Sequence, residues 1–314
     1  MGRLPGHTQL VYRTGSMLAL PPKGEWDASA CTPPGGVPWE SIASDLGIAC
    51  LGTTPAMEGE EGESFYSDDG GDRKSISLPA PQVELLKVLA KTGMPLILVL
   101  SGGSPIALNG LEDVADAILF VWYPGQEGGA AVAEVLFGDA APSGKLPLTF
   151  PRSLEQLPPF EDYSMAQRTY RYSTAEPLFP FGFGLSYTQF AYSNLSLGKK
   201  RVQSGQPVSL SVSVANTGQT AGGEVVQVYL SDLAASVAVP QHKLVAFRRV
   251  ALKPGQSKRV RFTLPAESLA LVDEDGQLRL EPGEFRVTVG GCSPGPRGQS
   301  LGAPHPVEAV FTMS

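Results

Sequence analysis

The period of the hydrophobic pattern changes once along this 314-residue chain, and the change calls for two different folds in one polypeptide. Up to about Phe150, apolar residues come in continuous runs: Leu46-Gly47-Ile48-Ala49-Cys50-Leu51, Pro95-Leu96-Ile97-Leu98-Val99-Leu100 and Ala117-Ile118-Leu119-Phe120-Val121. Short continuous runs bounded by glycine suit strands buried on both faces of a parallel sheet. Between them, Pro81 to Lys91 reads as a helix opened by proline and stopped before Gly93. Ala130 to Phe137 reads as a second, preceded by Gly128-Gly129 and ended at Gly138. Strand, helix, strand, helix predicts a partial α/β sandwich with a parallel sheet and right-handed crossovers.

From about Phe190 the period drops to two. In Val208-Ser209-Leu210-Ser211-Val212-Ser213-Val214 apolar and serine residues alternate strictly, so one face is buried and the other wet. Val226 to Leu230, Val260 to Leu264 and Phe285 to Val289 repeat the pattern. Turn signals at Asn216-Thr217-Gly218, Lys253-Pro254-Gly255 and Glu281-Pro282-Gly283 separate them. The expected fold is α/β followed by an all-β sandwich of the fibronectin type III or immunoglobulin kind. The boundaries that follow are an irregular segment over 1–45, a remnant of the α/β domain, and the α/β domain proper over 46–150. A packed proline- and aromatic-rich connector over 151–189 leads into the β-sandwich over 190–314. In the first segment Leu10-Val11-Tyr12-Arg13 is a candidate strand and Thr32-Pro33-Pro34-Gly35-Gly36 a loop.

The formal net charge of −7 argues against nucleic acid as a partner, since that needs a clustered basic face. Lys199-Lys200-Arg201 and Lys258-Arg259-Val260-Arg261 read as solvated faces of turns and strands. The three cysteines, Cys31, Cys50 and Cys292, are far apart and form no CxxC. With His7, His242 and His305 also isolated, no disulfide framework, metal or cofactor is expected. No run reaches transmembrane length and the amino terminus carries no apolar signal region, so no membrane partner is expected and the compartment stays unknown.

One loop stands out chemically. Met57-Glu58-Gly59-Glu60-Glu61-Gly62-Glu63, closed by Gly71-Asp72-Arg73, places four carboxylates behind the first apolar run. Loops at the carboxyl ends of buried strands are where α/β proteins place their chemistry. Crowded carboxylates raise one another's proton affinity, and a carboxyl protonated near neutral pH is a general acid.

Four motifs in order carry a resemblance. They are Glu58-Gly59-Glu60-Glu61-Gly62 with Gly71-Asp72-Arg73, Trp122 to Gly129, Pro142-Ser143-Gly144-Lys145 to Pro151, and Pro180-Phe181-Gly182-Phe183-Gly184-Leu185-Ser186-Tyr187. From about Leu46 to Val289 the chain resembles the C-terminal part of glycoside hydrolase family 3, the β-glucosidase and β-xylosidase family. The last three motifs read as structural: Gly residues for tight turns, Leu146 and Phe150 as buried anchors, Phe and Tyr filling a domain interface. Tyr123 and Tyr187 are candidates for a pocket edge.

The resemblance implies a retaining, exo-acting β-glycosidase that hydrolyses O-glycosidic bonds of β-glucosides or β-xylosides with two carboxyls about 5–5.5 Å apart. The family's general acid/base is a Glu on an acidic loop, which matches Glu61 here, with Glu60 the alternative because the loop length before Gly-Asp-Arg varies. Glu58 and Glu63 would help keep that acid protonated. Asp72 and Arg73 are expected to pin the loop by an ion pair, and Phe65 and Tyr66 to stack on substrate. The family's nucleophile is an Asp on an N-terminal (β/α)8 barrel of about 250 residues, to which no segment here corresponds. The implied partners are an oligosaccharide or β-glycoside and a separate barrel-domain chain, and relatives are often periplasmic or secreted. A non-catalytic carbohydrate-binding or scaffolding module is the alternative. An independent esterase is disfavoured because the few histidines, His7, His242 and His305, lie outside the α/β pattern.

Overall fold

The computed structural model describes residues 8–12, 44–58 and 73–314. The chain divides into two compact units, one comprising residues up to Phe137 with Pro151–Gln156, the other Gly138–Phe150 with Leu157–Ser314. Gly138–Phe150, on the α/β side of the boundary expected from sequence, packs with the second unit.

In the first unit, β1 (Gly47–Gly52), β2 (Leu96–Ser101) and β3 (Ala117–Phe120) form a parallel sheet in the order β1-β2-β3. Gly47 pairs with Leu96 and Ile97 with Ala117. Helices α1 (Ala80–Ala90) and α2 (Gly128–Leu136) complete the alternation. Only the central strand matches the expectation of strands buried throughout: Leu96, Leu98, Val99 and Leu100 are buried, whereas Ile48 of β1 is 47% exposed. Among the described residues β1 and β3 each have a single strand neighbour. Among Leu10 to Tyr12 no strand forms, while Arg13 and the predicted loop over 32–36 lie outside the described residues.

The sheet's carboxyl end is tied down locally. Gly52 ends β1 at φ +136°, and a Cβ there would lie 1.8 Å from the Ser101 carbonyl oxygen, so only glycine fits. The side chain of Gln82, buried in α1, clasps the same residue, accepting from Gly52 N at 2.7 Å and donating to Gly52 O at 2.8 Å.

In the second unit, β4 (Phe190–Leu197), β6 (Val208–Asn216) and β9 (Ser257–Leu264) form an antiparallel sheet ordered β4-β6-β9. The facing sheet is ordered β5-β13-β12-β7-β8, from β5 (Arg201–Val202), β7 (Gly222–Asp232), β8 (Lys243–Leu252), β12 (Gly283–Gly290) and β13 (Val307–Met313). A ribbon of β10 (Leu271–Val272) and β11 (Leu278–Arg279) lies outside both. The alternation in β6 buries Val208, Leu210, Val212 and Val214 in one apolar core with Val226, Val228, Val287 and Phe311. Each such side chain contributes about 1.5–3 kcal/mol of burial.

Residues 157–189 of the connector belong to the second unit with Gly138–Phe150, whereas Pro151–Gln156 belongs to the first. Phe150 N donates to Phe179 O at 2.9 Å and Leu146 N to Phe183 O at 2.8 Å. Tyr170 stacks on Phe181 with ring centroids 4.2 Å apart. Lys145 donates to Gly184 O at 2.8 Å and pairs with buried Glu224 at 3.3 Å, while the Tyr192 hydroxyl donates to the same carboxylate at 2.8 Å. Phe150 is buried and Leu146 half-buried. Tyr187, expected to fill an interface, is 48% exposed, because the inward positions of its motif are taken by Phe181 and Phe183.

Candidate functional site

The segments that follow the three parallel strands of the first unit all meet at one carboxylate. β1 delivers Thr53, β2 delivers Gly103 and Ser104, and β3 delivers Tyr123. Glu58 follows the short 3-10 turn Pro55–Met57 and accepts hydrogen bonds from all four. Thr53 Oγ1 and Ser104 Oγ each donate to Glu58 Oε1 at 3.1 Å, and Gly103 N donates to Oε2 at 3.1 Å. The Tyr123 hydroxyl donates to Oε2 and lies 3.2 Å from Thr53 Oγ1.

The fifth donor is Arg73. Its Nη1 is 2.7 Å from Glu58 Oε1 and also donates to Ser104 Oγ at 3.2 Å. Its Nε reaches Ser75 O at 3.2 Å and Nη2 reaches Ser77 O at 3.4 Å. Both partners are largely withdrawn from water, with side chains 15% and 16% exposed.

Burial works to raise the Glu58 pKa, but the hydrogen bonds from Tyr123, Arg73, Thr53 and Gly103 outweigh it and hold the carboxyl below its ordinary value. Tyr123 moves the other way, raised by burial and by donating to the carboxylate. Glu58 is therefore a fixed carboxylate whose charge Arg73 compensates. The carboxyls whose proton affinity it was expected to raise lie outside the described residues.

Two backbone features shape this cluster. A Cβ on Gly103 would lie 2.8 Å from Glu58 Oε2 and 3.0 Å from Tyr123 Cε2, so glycine keeps the amide within reach of the carboxylate. Trp122 adopts φ +56° immediately before Tyr123, a conformation that costs a non-glycine residue about 1–3 kcal/mol. Ser101 Oγ, donating to Trp122 O at 2.7 Å, and the edge-on contact with Phe120 hold it there.

Glu58 and Arg73 are the last and first described residues on either side of 59–72. Glu60, Glu61, Phe65, Tyr66 and Asp72 fall within that stretch and lie outside the described residues. Of the residues singled out beforehand, the structure therefore places Arg73, together with Glu58 and Tyr123. Thr53, Gly103 and Ser104 were not anticipated. Their signal in the sequence is a Gly-rich polar stretch directly after an apolar run, Gly52-Thr53-Thr54 and Ser101-Gly102-Gly103-Ser104. Among the described residues, no group of three or more His, Cys, Asp or Glu is arranged to hold a metal ion.

Residues 40–187 match the glycosyl hydrolase family 3 C-terminal domain, and residues 224–293 match a fibronectin type III-like domain. The chain belongs to glycoside hydrolase family 3. The family 3 match spans Glu58, Arg73 and Tyr123. A periplasmic beta-glucosidase of Salmonella typhimurium is 39% identical over 79% of this chain, and a xylan 1,4-beta-xylosidase of Xylanibacter ruminicola is 43% identical over 81%. This chain spans about a third of the length of either, 33% and 30% respectively. Among solved structures, a β-glucosidase from Erythrobacter marinus aligns over 88% of this chain and 35% of its own, with TM-score 0.74 and 35% identity. A family 3 beta-glucosidase from Bifidobacterium adolescentis aligns over 87% and 40%, with TM-score 0.74 and 32% identity.

Proposed function

We propose that this chain supplies the general acid/base of a retaining, exo-acting β-glycosidase acting on β-glucosides or β-xylosides. The supporting observation is the Glu58–Arg73 tie at the carboxyl end of the parallel sheet. It fixes the two ends of the acidic stretch where α/β domains present their ligands. Within that stretch Glu61 donates the proton to the leaving oxygen and later takes one from water, with Glu60 as the alternative one residue away. Phe65 and Tyr66 pack on the substrate, and Asp72 supports the loop next to Arg73.

A retaining mechanism needs a second carboxylate as nucleophile. In this reading an Asp on a (β/α)8 barrel provides it, either in the same polypeptide or on a separate chain. The beta-glucosidase and beta-xylosidase relatives support the substrate class. Turnover of aryl β-glucoside and β-xyloside is measured for the chain alone and with a separately expressed family 3 barrel. Activity that requires the barrel and is lost in Glu61→Gln supports the proposal. Oligosaccharide binding without turnover under any pairing favours a non-catalytic carbohydrate-binding module instead.

A further inference from the structure

The second unit carries a surface whose charge runs against the rest of the chain. Strands β4, β6 and β9 contain no aspartate or glutamate, yet β9 carries Lys258, Arg259 and Arg261, and β8 adds Arg248 beside it, in a protein of net charge −7. Because Val208, Leu210, Val212 and Val214 of β6 point into the core, Ser209, Ser211 and Ser213 line the outer face of the β4-β6-β9 sheet. The same argument turns Arg259, Arg261 and Thr263 outward on β9, since Val260, Phe262 and Leu264 are buried. The register sets them side by side, Ser213 with Arg259, Ser211 with Arg261 and Ser209 with Thr263.

The arginines are held in place without being neutralised. Arg259 donates from Nη2 and Nε to Ser211 Oγ, at 2.7 and 3.1 Å. Arg261 is exposed and forms no ion pair among the described residues. Beside Thr263 a shallow groove of about 380 Å³ opens between β8 and β9, lined by Leu244 to Arg248, Phe262 and Thr263. At this groove the Arg248 guanidinium lies over the Phe262 ring, 5.6 Å from its centroid.

We propose that this face, centred on Arg259 and Arg261 and extended by Arg248 along the groove, binds a carboxylate-bearing polysaccharide. Guanidinium forks match carboxylates in a planar, two-bond geometry, and the serine row offers hydroxyls that both donate and accept to sugar hydroxyls. Two outward arginines at alternate positions of one strand, beside a row of serine hydroxyls, suit acidic groups repeated along a chain. The choice of a glycan rests on the glycoside-directed reading above, for which such a face would hold the protein against an acidic polysaccharide.

The test is affinity electrophoresis of the 314-residue protein in gels containing polygalacturonate, fully methyl-esterified polygalacturonate, or no polymer. Retardation by polygalacturonate alone, weakening with added salt, is expected. The double substitution Arg259→Ser and Arg261→Ser should weaken binding by about tenfold or more, equivalent to about 1.4 kcal/mol or more. Lys199→Ser with Lys200→Ser, on a separate turn, should leave binding unchanged. Circular dichroism and the thermal midpoint verify that each variant is folded. Equal retardation by the esterified polymer, no effect of the arginine substitutions, or tighter binding to a single-stranded oligonucleotide or to anionic vesicles overturns the proposal. Loss of polysaccharide binding with glycosidase turnover intact removes only this face. Binding retained without turnover alongside a barrel removes only the catalytic reading.

Discussion

Arg73 meets Glu58 at 2.7 Å across a stretch of chain that carries every other carboxylate of the acidic loop. The pair sits where three strand ends converge, and Glu58 accepts from Tyr123, Thr53, Ser104 and Gly103 as well. A carboxylate so thoroughly supplied with donors acts as a mooring. Under the proposal above, proton transfer falls to Glu61, or to Glu60, on the adjoining stretch.

Removing the cation should be costly. Arg73→Met leaves a poorly solvated carboxylate with one charged partner gone, and the expected loss is about 1–3 kcal/mol, measured by urea unfolding at pH 7. Because the Glu58 pKa is lowered in the folded state, its contribution is present above the ordinary carboxylate pKa and disappears as pH falls through the folded value. The gap between wild type and Arg73→Met should therefore narrow on acidification below the ordinary carboxylate range. A gap that does not change with pH would show that the pair does not stabilise the fold through charge.

Tyr123→Phe removes the hydroxyl that links Glu58 to Thr53 while keeping the ring. We expect about 1 kcal/mol of lost stability and an upward shift of the Glu58 titration in carboxyl-resolved NMR, toward the ordinary value. The wild-type Tyr123 phenol should titrate above the ordinary tyrosine value, because burial and its hydrogen bond to the Glu58 carboxylate both disfavour the phenolate.

The fold was legible where the pattern is local. The alternation in Val208 to Val214 fixes both the strand and its buried face, and the expected helix over 81–91 differs from the observed Ala80–Ala90 by one residue at each end. Residue pairs distant in sequence were not legible. Nothing in the local pattern aims Tyr123 at Glu58, because that depends on the parallel register and on the left-handed turn at Trp122. The crowding argument for the acidic loop counted Glu58 as one more repulsive charge, since Arg73 lies 15 residues away in sequence and its proximity comes only from the fold. The association of Gly138–Phe150 with the sandwich was likewise invisible, being set by backbone bonds to Phe179 and Phe183.

A second electrostatic prediction concerns Lys145 and Glu224, whose side chains are 11% and 2% exposed. Burial raises the Glu224 pKa, with the Lys145 charge and the Tyr192 hydrogen bond opposing it. Lys145→Met strands that carboxylate and should cost about 3–5 kcal/mol at pH 7. The deficit should shrink as pH falls, because protonated Glu224 needs no counter-charge. The double variant with Glu224→Gln should recover most of the loss, and failure to recover it would mean that Lys145 acts through its bond to Gly184 O instead.

Gly103→Ala tests the mooring without changing any charge. The added methyl would lie 2.8 Å from Glu58 Oε2, so the carboxylate must move away from the amide or the strand end must shift. A stability loss of about 1–3 kcal/mol is expected in chemical denaturation, together with lower turnover in the barrel-supplemented assay. Wild-type stability in this variant would mean that the carboxylate can move without consequence.

The most direct test of the central claim is the leaving-group dependence of Glu61→Gln, with Glu60→Gln alongside, each assayed with the barrel supplied. A general acid matters most when the departing oxygen is a poor leaving group and least when it leaves unaided. The account predicts that Glu61→Gln loses turnover steeply for alkyl and phenyl β-glycosides while glycosyl-enzyme formation persists with dinitrophenyl glycosides, and that Glu60→Gln shows no such slope. An unchanged leaving-group dependence in Glu61→Gln would contradict it.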